Sequence, residues 1–405
     1  MSPGAPTLII HCQVFWPDNS AVSQMITAVA EDAVKQGGKV SVVTSARGYN
    51  LDELYPASEA HSGLQIHRVG GFRLDRHSVT GRLANYLSFA LLSWLKILQL
   101  PRPDCLVVTS VPPFSLFIGW MAGILRKIPF VYVIEDLYPE LAVASGVLKP
   151  GSLLARCAHR IFGWAMRRAT EIIVVGEHMQ RVVQQSHPRI APDRIHSIHN
   201  WHDGRVLFPL PRQPGVVRPI CFQYSGNLGE GHDFDSIAAA MEHFRTRADI
   251  RFEFVGRGKR RPYLEEQARQ RALQNCTFSD YVPLDRLNES LNRADICIVT
   301  LKPGFEGLLV PSKIYGIMAV GRPVLYIGPD QGEIPSLIRN HQIGWIVPAG
   351  DTALLVAAIE SGVTDSEKRL TYGRNARQAF DQHYDRPLAT AKYLEVFGKA
   401  IRHHV

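Results

Sequence analysis

The chain has 405 residues, 46% of them apolar and 20% charged, with 45 Lys and Arg against 37 Asp and Glu for a formal charge of +8. That length exceeds one ordinary core and fits two domains of roughly 200 residues each, and the apolar content excludes a disordered chain. The basic balance (pI 9.2) suits phosphate-bearing ligands or anionic membrane surfaces, while nucleic acid is set aside because no finger, RNA-binding or helix-turn-helix signature accompanies it.

In chain order, Thr7–Val14 reads as a strand and Val22–Gln36 as a helix. Gly37-Gly38 then supplies a left-handed stop before a β-branched run at Lys39–Thr44. Two apolar stretches follow. Leu83–Leu95 is uncharged and ends at Lys96, and Phe114–Leu125 is closed by Arg126-Lys127. Both fall short of the roughly 20 residues of a membrane span. They are either buried core helices or a hydrophobic surface lying on a membrane. In the second case Phe89, Trp94 and Trp120 would be interfacial anchors, and Arg73, Arg76, Arg82, Lys96, Arg102, Arg126 and Lys127 the basic rim. Short strands at Asp104–Ser110, Phe130–Ile134 and Glu171–Val175 are separated by helical stretches. Alternation of this kind predicts a parallel sheet covered on both faces.

A proline-rich connector without periodicity, from Phe208 to Gly215, predicts a linker at 206–215 after a first domain at 1–205. The alternation restarts in a second domain at 216–380. Strands are expected at Ile220–Tyr224, Arg251–Val255, Thr277–Asp280, Ile296–Leu301, Pro323–Ile327 and Trp345–Val347. Helices are expected at Phe234–Arg247, Pro262–Ala272, Leu284–Arg293 and Pro311–Val320. In the remainder, 381–405, a helix over Pro387–Ile401 is expected to pack back on the first domain. Two successive α/β halves predict a ligand cleft between them. The six cysteines are scattered without a CxxC pair, which suits a reducing compartment and argues against a disulfide scaffold or zinc site. No signal peptide is evident, so a cytoplasmic protein is expected.

Three turns in the second domain carry phosphate-binding chemistry. The first strand runs into Ser225-Gly226-Asn227-Leu228-Gly229, a glycine turn that lets backbone amides approach a phosphate. The second ends at Val255-Gly256-Arg257-Gly258-Lys259-Arg260-Arg261, with two glycines among four cations at the carboxyl end of a parallel strand. The third, Val310-Pro311-Ser312-Lys313, opens a helix with free amides, a hydroxyl and an ammonium, for which a diphosphate is the natural occupant. Asp233-Phe234-Asp235 has the spacing of a metal motif but stands at a helix start and reads as a cap.

Together with Ala294-Asp295-Ile296, Ala319-Val320-Gly321-Arg322-Pro323-Val324 and Gly344-Trp345-Ile346-Val347-Pro348, these segments resemble, in order and spacing, the GT-B superfamily. Within it they resemble the retaining glycosyltransferase family 4. Phe15-Trp16-Pro17 and Glu135-Asp136-Leu137-Tyr138-Pro139-Glu140 look like the members that build bacterial surface polysaccharides. The resemblance implies an α/β GT-B fold of two Rossmann-like domains with parallel sheets facing across a cleft. It implies transfer of a sugar from a nucleotide-diphosphate-sugar co-substrate to an acceptor such as a lipid-linked saccharide, with retention and with neither metal nor other cofactor. By the same resemblance Pro311, Ser312 and Lys313 hold the donor diphosphate, with Gly226, Asn227 and Gly229 beside it. Arg257 adds charge at the leaving phosphate; Tyr281 and Val282 border the base; Phe305, Glu306 and Gly307 face the sugar. From its place in the cationic turn rather than from the resemblance, Lys259 is an alternative to Arg257 as the phosphate ligand. Asp136, with Glu135 beside it, falls where the family places a His or acid near sugar and acceptor.

The chain departs from that pattern in places. The family's ribose-binding glutamate is replaced by Gly316, with Leu308 at the place of its partner, and Glu333 is a conceivable substitute. The Arg and Lys pair after the first strand is missing, with Asn227 and His232 nearby, and the N-terminal double glycine is replaced by Asp18-Asn19-Ser20-Ala21, where Ser20 offers a backbone amide. Two other functions share the architecture: a sugar-nucleotide 2-epimerase and an inactive binding subunit. If the basic, apolar surface is real, an anionic membrane at the inner face of the plasma membrane is a further partner.

Overall fold

The structure, a computed structural model, describes residues 5–48, 53–72, 74, 78–211 and 218–403. The chain divides into two compact units, one of Met1–His199, Gly307–Leu309 and Leu388–Val405, the other of Asn200–Glu306 and Val310–Pro387. The first break falls ahead of 205 because residues 200–205 are tied into the second unit. There the Gly204 N–H donates to Asp385 Oδ1 at 2.9 Å, and Asp203 pairs with Arg205 at 2.7 Å. Residues 212–215 of the expected linker, and the rim residues Arg73 and Arg76, lie outside the described residues.

In the first unit the elements run β1 (Thr7–His11), α1 (Ala21–Lys35), β2 (Lys39–Ser45), β3 (Ser58–His61), β4 (Leu64–Val69), α2 (Val79–Gln99) and β5 (Cys105–Thr109). They continue with α3 (Ser115–Leu125), β6 (Phe130–Ile134), α4 (Glu140–Ala144), α5 (Leu153–Met166), β7 (Glu171–Val174), α6 (Glu177–Ser186) and β8 (Ile195–Ser197). The eight strands form one sheet in the order β3-β4-β2-β1-β5-β6-β7-β8, parallel throughout except for the β3–β4 pair. Every residue of β5, β6 and β7 is buried, the state of strands covered on both faces.

The β3–β4 hairpin and β8 are additions to the expected strands. The hairpin turns on Ser62 and Gly63 with φ of 49° and 83°, the left-handed pair of a two-residue turn. No residue of β3 is buried, and β4 alternates buried with exposed or half-exposed residues, so no continuous apolar run marks them. The chain moves outward from β1 to β4, then returns through α2 to β5 and proceeds the other way to β8. Right-handed crossovers therefore put α1 on one face of the sheet and α2, α3, α5 and α6 on the other.

The second unit runs β9 (Ile220–Ser225), α7 (Asp235–His243), β10 (Ile250–Val255), α8 (Arg261–Gln270), β11 (Cys276–Ser279), α9 (Leu284–Arg293), β12 (Ile296–Thr300) and α10 (Lys313–Ala319). After these come β13 (Val324–Ile327), α11 (Glu333–His341), β14 (Gly344–Val347), α12 (Thr352–Thr364) and α13 (Ser366–Ala379), the last two additional to the expected helices. Its sheet is wholly parallel in the order β11-β10-β9-β12-β13-β14. Phe222, Phe252, Phe254, Ile298 and Leu325 of the strands pack with Met241 and Leu355 of the helices and with Phe234 just ahead of α7. The order reverses between β9 and β12, so the loops after these two strands flank the switch point, where ligands of such sheets bind.

A last helix, α14 (Arg386–Arg402), belongs to the first unit from Leu388 onward. The buried carboxylate of Glu171 at the start of β7 pairs there with Lys399 at 3.2 Å and His403 at 3.2 Å, and with His196 of β8 at 2.6 Å. All six cysteines are unpaired. Among the described residues no helix is long and apolar enough to cross a membrane.

Candidate functional site

In the second unit, the turns after β9 and β10 lie backbone against backbone. Gly226 N–H donates to Val255 O at 2.9 Å and Leu228 N–H to Arg257 O at 2.8 Å. Gly256 and Gly258 have φ of +135° and +152°, and a Cβ on either would overlap the Gly226 or the Leu228 carbonyl. Only glycine permits that approach. Beyond the turn, the Asp233 carboxylate accepts the N–H groups of Asp235 and Ser236 at 3.1 and 3.2 Å, so this Asp-x-Asp is a helix cap.

The side chain of Lys313, first residue of α10, reaches across to this turn. Its Nζ lies 3.5 Å from the centroid of the Tyr224 ring, and 3.4 Å from where a Cβ on Gly226 would stand. The Nζ is shielded from solvent and, among the described residues, meets no hydrogen-bond acceptor. Burial pulls the ammonium well below its ordinary value of 10.5. The ring face below it compensates only part of the lost hydration. The Tyr224 hydroxyl is spent on Asn227 O at 2.7 Å. His232 pairs its Nδ1 with Thr300 O at 2.5 Å; burial and then Lys313 lower it to about 3, so it is neutral. One poorly solvated ammonium thus stands beside Gly226 in the glycine turn, preceded by half-buried Ser312 and buried Pro311.

The loop after β12 is bound to the same turn. Lys302 N–H donates to Gly231 O at 2.8 Å, and the Phe305 ring lies 3.6 Å from the Cβ position of Gly231. Glu306 Oε2 accepts the Gly304 N–H at 2.7 Å, and its Cβ lies 3.7 Å from that of a side chain at Gly332. This places it beside the turn that opens α11, where Glu333 is buried. Gly307 is parted from these neighbours: it belongs to the first unit, where a Cβ would meet Val182 and His178 of α6 at 2.6 and 2.8 Å.

At the far side of the turn, Arg257 is exposed and pairs with Asp280 at 2.6 Å; Arg261 reaches the same carboxylate at 2.7 Å. Hydrogen bonding from Arg257 holds the Asp280 carboxyl below its usual range. The Tyr281 ring packs 3.2 Å from a Cβ position on Gly256, while Lys259 is exposed and Val282 half-buried. Position 316 faces Leu207, His202 and Leu291 at 3.3 to 3.7 Å.

In the first unit, Glu135 and Asp136 follow β6 at a turn fixed by Ser110, whose Oγ accepts both backbone N–H groups at 3.0 and 3.1 Å. Burial raises the Asp136 carboxyl from 3.8 to about 6. Tyr393 of α14, fully buried, is pushed up by burial and then by the Glu135 carboxylate. Cis peptide bonds at Trp16-Pro17, Val111-Pro112 and Tyr138-Pro139 follow β1, β5 and β6. Ser20 is the N-cap of α1, its Oγ accepting from Ser23 N–H. Its own N–H donates to Asp18 Oδ1 at 2.8 Å, so the amide expected to offer itself to a phosphate is already engaged.

Tyr224, Ser110 and Tyr393 were not among the expected site residues. Tyr224 ends an expected strand, and only the packing of α10 brings Lys313 over its ring. Ser110 and Tyr393 carry no local signal. A further cluster, Glu140, His159 and His187, has ligand-type atoms within 4.8 Å of one another. The two imidazoles stack at 4.5 Å with 20° between planes, so their in-plane lone pairs run nearly parallel and do not converge on one ion.

Residues 20–201 match the family model described as glycosyl transferase 4-like domain, and residues 221–365 the one described as glycosyl transferases group 1. The chain is 36% identical over 385 residues to the colanic acid biosynthesis glycosyl transferase WcaI of Escherichia coli, covering 88% of this chain and 92% of that one. Among solved structures, sucrose-phosphate synthase from Thermosynechococcus elongatus superposes with a TM-score of 0.78 at 14% identity, over 98% of this chain and 100% of that one. HepE of Anabaena, solved in complex with UDP-glucose, gives 0.70 at 14% identity, over 97% and 100%. With both halves matched to glycosyltransferase models and two parallel-sheet α/β domains on the page, the chain belongs to glycosyltransferase family 4, has the GT-B fold, and resembles the members that build bacterial polysaccharides.

Proposed function

We propose that the protein transfers a hexosyl unit from a nucleotide-diphosphate-sugar to a lipid-linked saccharide at the inner face of the plasma membrane, with retention of configuration and without a metal ion. The observation that carries the donor half is the shielded, acceptor-less ammonium of Lys313 facing the glycine turn at Gly226. A diphosphate supplies the anion this cation lacks. Breaking the sugar–phosphate bond builds negative charge on the leaving group, and a fixed cation in a poorly solvated place stabilises it without reorganisation. Arg257 and Lys259 add exposed positive charge on the next turn, Tyr281 and Val282 border the base, and Phe305, Glu306 and Glu333 serve sugar and ribose. Asp136, with Glu135 beside it, is assigned to the sugar and acceptor hydroxyls.

The test is a thermal-shift panel of UDP-, GDP-, ADP- and TDP-sugars, since a ligand that binds only the folded state raises Tm by mass action. One nucleotide class is expected to stabilise the protein, and NMR of the product is expected to show the donor's anomeric configuration kept. No shift with any nucleotide sugar, or a 2-epimer released without an acceptor, would overturn the reading.

A further inference from the structure

The outer surface of α2 carries a stripe of exposed leucines. Leu83, Leu87, Leu91, Leu95 and Leu98 recur every three or four residues and are 43 to 59% exposed, while Phe89, Trp94 and Ile97 on the opposite side are buried. The stripe extends for about 22 Å at 1.5 Å per residue. A solvent-facing helix ordinarily carries charge on that side. Phe89 and Trp94 belong to the core and are not anchors; Trp120 is half-buried and packs on Trp164 of α5 at 4.7 Å. The neighbouring helices continue the apolar surface. Arg126, after α3, donates to Ile97 O at 2.8 Å and holds the end of α3 against the end of α2, leaving Leu125 68% exposed. On α5, Leu154, Ile161 and Trp164 are exposed.

The charge around this surface is predominantly positive; the acids flanking these helices in the chain include Asp104, exposed just after Arg102, and Glu140, which pairs with His159 of α5 at 2.7 Å. Residues 76–103, 105–134 and 141–170 contain no Asp or Glu at all, against four, two and five Lys or Arg respectively. Arg102 and Lys127 are exposed at the α2–α3 end, and Arg156, Arg160 and Arg168 on and after α5. A leucine face among an excess of cations matches an anionic bilayer, whose headgroups take the cations and whose acyl boundary takes the leucines. It does not match a second copy of itself, since a two-fold pairing would bring two sets of cations together.

We infer that α2, with the adjoining parts of α3 and α5, is an in-plane docking face for an anionic lipid bilayer. This deepens the reading of a membrane-presented acceptor, rests on that reading for its biological sense, and is independent of the donor site. The experiment uses the whole protein with sedimenting vesicles of phosphatidylcholine alone or mixed with phosphatidylglycerol. Wild type is expected to sediment with the mixed vesicles in a salt-sensitive manner and to stay in solution with pure phosphatidylcholine. Leu87→Glu with Leu91→Glu, and separately Arg156→Glu with Arg160→Glu, are expected each to cut partitioning by about tenfold or more. Both pairs are exposed, and circular dichroism together with an unchanged nucleotide-sugar thermal shift confirms that the variants fold. Failure of wild type to bind the mixed vesicles, or unaltered binding by the leucine variant, overturns the inference. So does a concentration-dependent dimer that the leucine variant abolishes, which would assign the face to a second copy. An absent nucleotide-sugar shift in every variant would count against the donor reading alone.

Discussion

Replacing Lys313 by methionine tests the donor reading most sharply, because stability and binding should move in opposite directions. Methionine keeps the length of the side chain over the Tyr224 ring and removes an ammonium that is shielded and meets no acceptor among the described residues. Leaving such a group unsatisfied costs about 1–3 kcal/mol, so the variant without nucleotide should be more stable, by roughly 2–12 °C in Tm for a unit of this size. The pH dependence follows from the depressed lysine. Between its lowered folded value and 10.5, the unfolded chain binds a proton that the folded chain does not, so wild-type stability rises with pH across that window. The advantage of Lys313→Met is therefore largest at low pH and vanishes above 10.5. With nucleotide sugar the sign reverses. Losing a charge-assisted hydrogen bond of about 1.5–3 kcal/mol lowers affinity roughly ten- to hundredfold. A ligand at a hundred times its Kd, worth about 2.7 kcal/mol to wild type, would then contribute only about 0.4–1.4 kcal/mol. Differential scanning fluorimetry from pH 6 to 10, with and without nucleotide sugar, reads both effects. A variant that is less stable without ligand, or that keeps the full ligand shift, would refute the placement of Lys313 as the donor cation.

Asp136→Asn should raise Tm at pH 8 and leave it unchanged at pH 4, because the raised carboxyl favours the folded chain when protonated and loses that contribution as pH rises through about 6. The gap from 3.8 sets an upper bound of about 3 kcal/mol, and transfer by wild type should fall below pH 6 if the carboxylate is the working form. Glu171→Gln removes a fully buried carboxylate from Lys399, His196 and His403, leaving the Lys399 ammonium unanswered beside β7. It should destabilise by about 3 kcal/mol and expose α14 to limited proteolysis before the rest of the chain; a digestion pattern identical to wild type would contradict that role.

The sequence by itself determined the α/β class, the alternation in both units and the glycine turn with its lysine. Each of these is a local pattern: apolar runs for covered parallel strands, and Gly226, Gly256 and Gly258 at strand ends where backbones must touch. It also held the acid-free stretches around α2, α3 and α5. Other features were invisible to it because they arise from contacts between residues far apart in the chain. The β3–β4 hairpin has half-exposed strands and no apolar run. Residues 200–205 join the second unit through Asp385, and Gly307 joins the first through α6. Ser20 spends its amide on Asp18, a commitment that no motif records. Which side of α2 is buried was also undecidable from composition, since Phe89 and Trp94 look as suited to a membrane as the leucines do. Packing on β2 and β4 took the aromatic side for the core and left the leucines outside. In the same way, Lys313 is a plausible phosphate ligand in sequence, but only the fold of α10 against β9 sets its ammonium over the Tyr224 ring with no acceptor of its own, and burial is the physical reason it seeks an anion.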